Sequence, residues 1–235
     1  MSAKAPGPSD TTQSELYVEY CKKGEIIHRF AENLAQTLGV FHGINSTGKA
    51  LRFQGEATGA LSTILFDQLQ IMVIRLSALC DNGTRNDDAS LGQLVSGVSV
   101  PGFQQFLIDK ETQWQCAVGH RAGTTRDIPR LIRVLKARWS ILKAEQDALT
   151  RIKHYRNKVL AHATTGLDPS QRVLIRDIWR LSRSTLSVAK YIRLLLERDE
   201  WNYLEHSEDG KSCGRTLVRS LHRDNKVSGL QKGDN

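Results

Sequence analysis

The sequence has no Cys-x-x-Cys pair, and its four cysteines, Cys21, Cys80, Cys116 and Cys213, are scattered along 235 residues. That spacing argues against a zinc centre and for a reducing compartment in which all four are thiols. No apolar run approaches the ~20 residues that cross a bilayer, and the N-terminus carries no hydrophobic signal core. A cytoplasmic protein with no membrane partner is therefore expected. Also missing are a Gly-x-x-x-x-Gly-Lys-Ser/Thr loop, a His-Glu-x-x-His motif, a Ser-His-Asp order and paired carboxylates in one motif. Neither Asn45 to Ala50 nor Gly119 to Thr125 supplies a phosphate loop, so nucleotide-loop enzymes and most hydrolases have no support. No metal and no cofactor is expected.

What the chain does have is an excess of positive charge, 33 Lys and Arg against 25 Asp and Glu, for a net +8 and a pI near 9.5. Such a balance favours an anionic partner, with nucleic acid the first candidate and a merely solvated basic surface the alternative. A content of 40% hydrophobic and 25% charged residues over this length is enough to bury one substantial core.

Residues 1 to 13 hold Pro6, Gly7, Pro8 and Ser9 and read as a disordered leader, with Ser14 a cap for the first helix. From Glu15 to about Phe41, Leu16, Tyr20, Ile27, Phe30, Leu34, Leu38 and Phe41 recur at helical spacing. His28 and His42 fall in or beside this helix and read as surface or packing histidines, with no ligand partner at metal-site spacing. The Gly, Ser, Thr and Asn residues of 43 to 56 predict a connector. The next helix, about 57 to 81, is the most apolar, so its charges Asp67, Arg75 and Asp81 must each be paired, at the rim or functional. Asp81-Asn82-Gly83 ends it, and Ser90 caps a short helix through Val95. Two further short helices are expected from Gly102 or Phe103 to Ile108 and from Glu111 to His120.

Asp127 followed by Pro129 reads as an N-cap with a first-turn proline, opening a long helix or a kinked pair to about Ala163. Its buried side carries Leu131, Leu135, Leu142, Leu149 and Ile152, and its outer side is dominated by Lys136, Arg138, Lys143, Arg151, Lys153, Arg156 and Lys158. Asp168-Pro169 repeats the signal for a last long helix through about Leu204. Beyond it, 206–235 reads as a flexible basic tail in which Arg215, Arg219, His222 and Arg223 can touch RNA. With no alternating strands, no repeat and no long heptad run, the expected fold is all-α, an antiparallel helical bundle forming a single domain over 14–205.

Near the end of the long basic helix stands His154-Tyr155-Arg156-Asn157-Lys158-Val159-Leu160-Ala161-His162, which contains Arg-Asn-Lys-x-x-Ala-His. On an α-helix Arg156 and His162, six positions apart, would lie about 9 Å apart along the axis and roughly 120° apart around it. Lys158 and His162 would share one face, and Tyr155, Val159 and His162 another. As a residue pattern alone, this is equally a basic, solvated helix end with a histidine at a favourable terminus.

The string resembles the signature of HEPN domains: Arg, four to six residues, then His, often with Asn after the Arg. The nearest branch is the AbiU2-like proteins of bacterial abortive-infection systems. A second match is Arg75-Leu76 to Asp81, then a polar loop and Ser90-Leu91, similar to that branch's Arg-Leu-x-Asp, loop, Ser-Leu arrangement. The two matches span roughly residues 57 to 200. The resemblance implies an all-helical homodimer with the two motifs facing one another, and a toxin or antiphage effector that cuts RNA to a 2′,3′-cyclic phosphate and a 5′-hydroxyl without a metal. Arg156 and His162 would be catalytic, Asn157 and Lys158 supporting, and Arg75, Asp81 and Tyr155 candidates for a surrounding role. A cognate antitoxin is a candidate partner. Control by nucleotidylation of a tyrosine two residues after the His, seen in some HEPN toxins, is not expected here, where Thr164 stands in place of the tyrosine. The rival expectation is a helical module that binds nucleic acid or protein without cutting.

Overall fold

A computed structural model describes residues 8–51, 56–81, 89–118, 126–160, 173–199 and 201–231. Among them every regular element is helical: α1 (Pro8–Leu51), α2 (Glu56–Cys80), α3 (Leu91–Gly97), α4 (Pro101–Val118), α5 (Ile128–Ala144), α6 (Gln146–Tyr155), a π turn (Arg156–Leu160), α7 (Ile175–Glu197) and α8 (Tyr203–Gln231). The all-α expectation holds. Two N-caps lie where the residue types place them. Ser90 Oγ accepts from the Gln93 amide at 3.3 Å, and Asp127 Oδ1 accepts from the Arg130 amide at 2.8 Å with Pro129 in the first turn.

The helices sort into two compact units. Unit 1 comprises Met1–Arg29, Ala78–Gln146 and Arg183–Trp201. Its buried side chains include Ile27, Leu91, Leu94, Phe103, Leu107, Ile132, Leu135, Val188 and Leu195. Tyr20 meets Phe103 edge-on at 5.0 Å between ring centres, and His28 meets Trp201 at 4.6 Å, a packing role for that histidine. Residues 101–118 form one helix rather than two, because Asp109, Lys110 and Glu111, which look like a break, fall within a continuous turn pattern with Phe103, Leu107 and Glu111 as its buried row.

Unit 2 comprises Phe30–Ser77, Asp147–Ser182 and Asn202–Asn235. Ile44 of α1, Leu61 of α2 and Val218 of α8 form a buried cluster flanked by Val40, Ile64, Leu65 and Leu221. Two expectations fail here together. Residues 43 to 51 continue α1 instead of forming a connector, and 203–231 form α8 instead of a loose tail. Each stretch explains the other. A β-carbon at Gly39 would collide with the Ser207 carbonyl, one at Gly43 with the Lys211 carbonyl, one at Gly210 with the Gln36 carbonyl and one at Gly214 with the Val40 carbonyl. The glycines thus let two helix backbones touch, and helix–helix contact repays their weak helix propensity. Ser46 is accommodated by donating its hydroxyl to the His42 carbonyl at 2.8 Å. Residues 8–13, expected to belong to a leader, are part of α1, which begins at Pro8, a residue tolerated in a first helical turn.

By length and composition, Thr58–Cys80 of α2 is apolar enough to cross a membrane, a property the charged Asp67 and Arg75 conceal when only uninterrupted apolar runs are sought. Its Leu61, Met72, Val73, Leu76 and Leu79 are buried in the fold.

Candidate functional site

The motif is carried by α6, a ten-residue helix that buries Ala148 and Ile152. Arg151, one residue before Ile152, donates Nε and Nη2 to Asp177 Oδ2 at 2.9 and 2.8 Å. Asp177 is buried in the first turn of α7, where the helix dipole favours an anion. This pair fastens α6 to α7 immediately before the motif.

At Arg156 the backbone leaves α geometry and closes a π turn through Leu160. A π turn carries an i→i+5 hydrogen bond, so it holds an extra residue and turns the following chain differently from an α-helix; such turns are frequent at functional sites. Arg156 is half-buried, while Asn157 and Lys158 are exposed. Arg156 donates Nε to Asn157 Oδ1 at 3.0 Å. That bond restrains the plane of the guanidinium from its stem side.

Tyr155 faces the other way. It is half-buried, burial raises its phenol pKa, and it lines an apolar cavity of about 320 Å³ with Phe66, Leu69, Val73 and Ile178. Phe66 and Ile175, also on this cavity, are about half exposed.

Two further expected residues lie on or beside α2. Arg75 donates Nη1 to the Asn33 carbonyl at 2.6 Å and to the Thr37 hydroxyl, and its desolvation lowers the guanidinium pKa. It ties α2 to α1. Asp81 follows the end of α2 and is half-buried. His162, Thr164 and the Asp168-Pro169 cap lie outside the described residues. Among the described residues no three His, Cys, Asp or Glu side chains come together as a metal site needs.

The AbiU2 family model of HEPN proteins matches residues 26–212. The chain belongs to this family. The match is longer than the two sequence resemblances and takes in much of α1 and the start of α8. No curated protein and no solved structure matches.

A second polar cluster, in unit 1, has no counterpart in the sequence motifs. Glu111 is almost fully buried. Arg126 donates Nε and Nη2 to Glu111 Oε2 at 2.9 and 2.7 Å and its amide to Oε1 at 3.2 Å, and Arg198 Nη1 reaches Oε2 at 2.7 Å. Burial pushes the Glu111 carboxyl up, but the hydrogen bonds and charge of Arg126, then the charge of Arg198, hold it below the usual carboxylate range. Arg126 also donates to the Leu194 carbonyl, tying the start of α5 to α7. Arg198 ends α7 with φ 59°, left-handed backbone that glycine usually occupies, and its guanidinium lies over the Trp114 ring. With Tyr17 and Lys110 these groups line a cavity of about 280 Å³. Glu111, Arg126 and Arg198 are too far apart in sequence for any spacing rule to join them; only the expense of burying Glu111 could have flagged the group.

Proposed function

We propose that this AbiU2-family protein is a metal-independent endoribonuclease, acting in the cytoplasm as a toxin or abortive-infection effector. The observation that carries the reading is Arg156 held through Nε by Asn157 in a partly exposed π turn, within a chain of HEPN ancestry. His162 takes the proton of a ribose 2′-hydroxyl, the 2′-oxygen bonds to phosphorus, and the P–O5′ bond breaks as the 5′-oxygen receives a proton. Arg156 binds the phosphate oxygens and offsets their growing charge, and Lys158 adds attraction. The products are a 2′,3′-cyclic phosphate and a 5′-hydroxyl.

The active form in this reading is a homodimer joined through the motif-bearing region of unit 2. The half-exposed Phe66 and Ile175 beside the Tyr155 cavity supply apolar surface for such a contact. Free thiols at Cys21, Cys80, Cys116 and Cys213 suit the reducing cytoplasm. An antitoxin remains a candidate partner.

The test is incubation of labelled RNA with the full chain in EDTA. Cleavage that persists under chelation and disappears in both Arg156→Ala and His162→Ala, with helical spectra unchanged, supports the enzyme. Binding without cutting supports the non-catalytic module, which the basic surface alone would also allow. Mixing the two inactive variants, with subunit exchange verified, separates cross-chain from same-chain pairing: recovery of up to about half the activity per heterodimer means Arg156 and His162 come from different protomers.

A further inference from the structure

Helix α5 holds five cations, Arg130, Arg133, Lys136, Arg138 and Lys143, and no acidic residue between Ile128 and Ala144. All five are exposed, and among the described residues none makes a side-chain hydrogen bond or ion pair. Elsewhere on this chain exposed cations do find carboxylates, as Arg29 does with Glu25 at 2.5 Å and Lys211 with Glu208 at 3.2 Å. The acids nearest in sequence, Asp127 and Glu145, stand at the two ends of α5, and Asp127 Oδ1 accepts from the Arg130 amide.

The pattern is also directional. Arg130, Arg133 and Lys136 fall at i, i+3 and i+6, neighbours along one ridge about 4.5 Å apart along the axis, and Lys143 lies seven positions beyond Lys136 on nearly the same face. Together they form a row roughly 20 Å long. Ser140 and the half-buried Trp139, three positions beyond Lys136 and four before Lys143, fill the space between.

We infer that this face of α5 is a docking surface for the phosphate backbone of single-stranded RNA. A linear row of unpaired cations matches a linear polyanion, and backbone contacts of this kind carry affinity and orientation without sequence readout. An acidic protein is the poorer fit, because protein interfaces are anchored by clusters of desolvated aromatic or aliphatic side chains and the row offers only the half-buried Trp139, a ring that suits an unpaired base equally well. The inference rests on RNA as the partner in the reading above, but not on its cleavage.

The test uses the full chain and a labelled 2′-O-methyl RNA 20-mer, which lacks the 2′-hydroxyl that cleavage requires, with binding followed by anisotropy from low to moderate salt. The wild type is expected to bind with a steep negative slope of log K against log salt. Arg130→Gln/Arg133→Gln/Lys136→Gln should flatten that slope by about 2, from roughly 0.7 per phosphate contact, and weaken binding roughly tenfold or more. Its melting temperature should be unchanged, since none of the three side chains has a partner to lose. Lys22→Gln/Arg176→Gln/Arg183→Gln, which removes the same charge from scattered exposed positions, should change the slope by much less. Equal losses in the two triple variants would assign the effect to net charge and overturn the inference, as would an unchanged slope in the α5 variant or no binding by the wild type. Displacement of the RNA by polyglutamate at equal charge concentration would assign the face to an acidic polypeptide instead. A chain that binds through α5 yet never cuts natural RNA leaves this inference standing and removes only the ribonuclease reading.

Discussion

Arginine is used in two ways in the two units. In unit 1, Arg126 and Arg198 converge on the buried carboxylate of Glu111, and Arg126 also donates to backbone on α7. In unit 2, Arg151 is matched to buried Asp177 in the same manner, and five residues later Arg156 donates Nε to the side-chain amide of Asn157. A carboxylate partner fixes an arginine and cancels its charge. An amide acceptor restrains the guanidinium plane without itself adding negative charge. The contrast is between arginines bound to buried carboxylates, which hold helices together, and a partly exposed arginine whose Nε meets an amide.

The contrast breaks most visibly at Glu111. Glu111→Gln leaves two arginines facing a buried neutral group, and loss of one partner from such a network is expected to cost about 3 kcal/mol or more of unfolding free energy in urea denaturation. The wild type should also carry an acid-side dependence that the variant lacks. The folded-state pKa of Glu111 is held below its unfolded value of about 4.3, so this contribution is complete above that pH and is lost as pH falls through the folded value. A variant as stable as the wild type at pH 7, with the same acid slope, would mean that the cluster does not hold unit 1 together.

At the motif the expected loss is of activity instead. Arg156→Ala should lower kcat by roughly 10²- to 10³-fold, the range seen when a donor to transition-state charge is removed, with urea denaturation shifted by less than about 0.5 kcal/mol. Arg151→Ala should reverse the signature, because it strips buried Asp177 of its partner and is read first in stability.

How much of this was legible in the sequence depended on whether the deciding interaction was local. The Ser90 and Asp127 caps were readable because a cap and its amide are three residues apart. The bond between Arg156 and Asn157 is local in the same sense, since the two residues are adjacent. The π turn was not readable, since the same five residues also suit an α-helix and no residue type marks the extra one. Helix α8 and the end of α1 were missed for a different reason. Gly210, Gly214, Gly39 and Gly43 look like loop residues one helix at a time, and only their mutual approach across more than 160 positions makes them helical. Arg75 was open to a structural or a functional reading, and its bonds to Asn33 and Thr37 favour the structural one.

Unit 2 is also fastened differently from the Glu111 cluster, by backbone against backbone, and glycine substitutions sharpen that point. Gly39→Ala forces a β-carbon into the Ser207 carbonyl and should destabilise by about 1–3 kcal/mol, although alanine is the better helix former. Gly59→Ala in α2 meets nothing within 4 Å and should stabilise by up to about 1 kcal/mol. Opposite signs in thermal denaturation are the expected result. The same sign at both positions would mean that α1 and α8 do not approach as described.

The smallest expected effect is at Asn157, and it tests whether the amide orients Arg156 or touches the substrate itself. If Asn157 acts through Arg156, Asn157→Ala frees the guanidinium plane but leaves its charge in place, so kcat should fall by about tenfold with KM little changed, the loss of an interaction made in the transition state. Asn157→Asp keeps an acceptor for Arg156 Nε and places a negative charge on it. It should therefore hold the arginine at least as firmly and yet cut worse than Asn157→Ala, because the added carboxylate competes with phosphate for the same cation. If Asn157→Asp instead retains more activity than Asn157→Ala, orientation alone matters and the neutrality of the partner does not. A double variant, Arg156→Ala/Asn157→Ala, closes the cycle: when Asn157 works only through Arg156, removing it from the Arg156→Ala protein costs nothing further. A further tenfold loss in that background would place Asn157 on the RNA independently of Arg156.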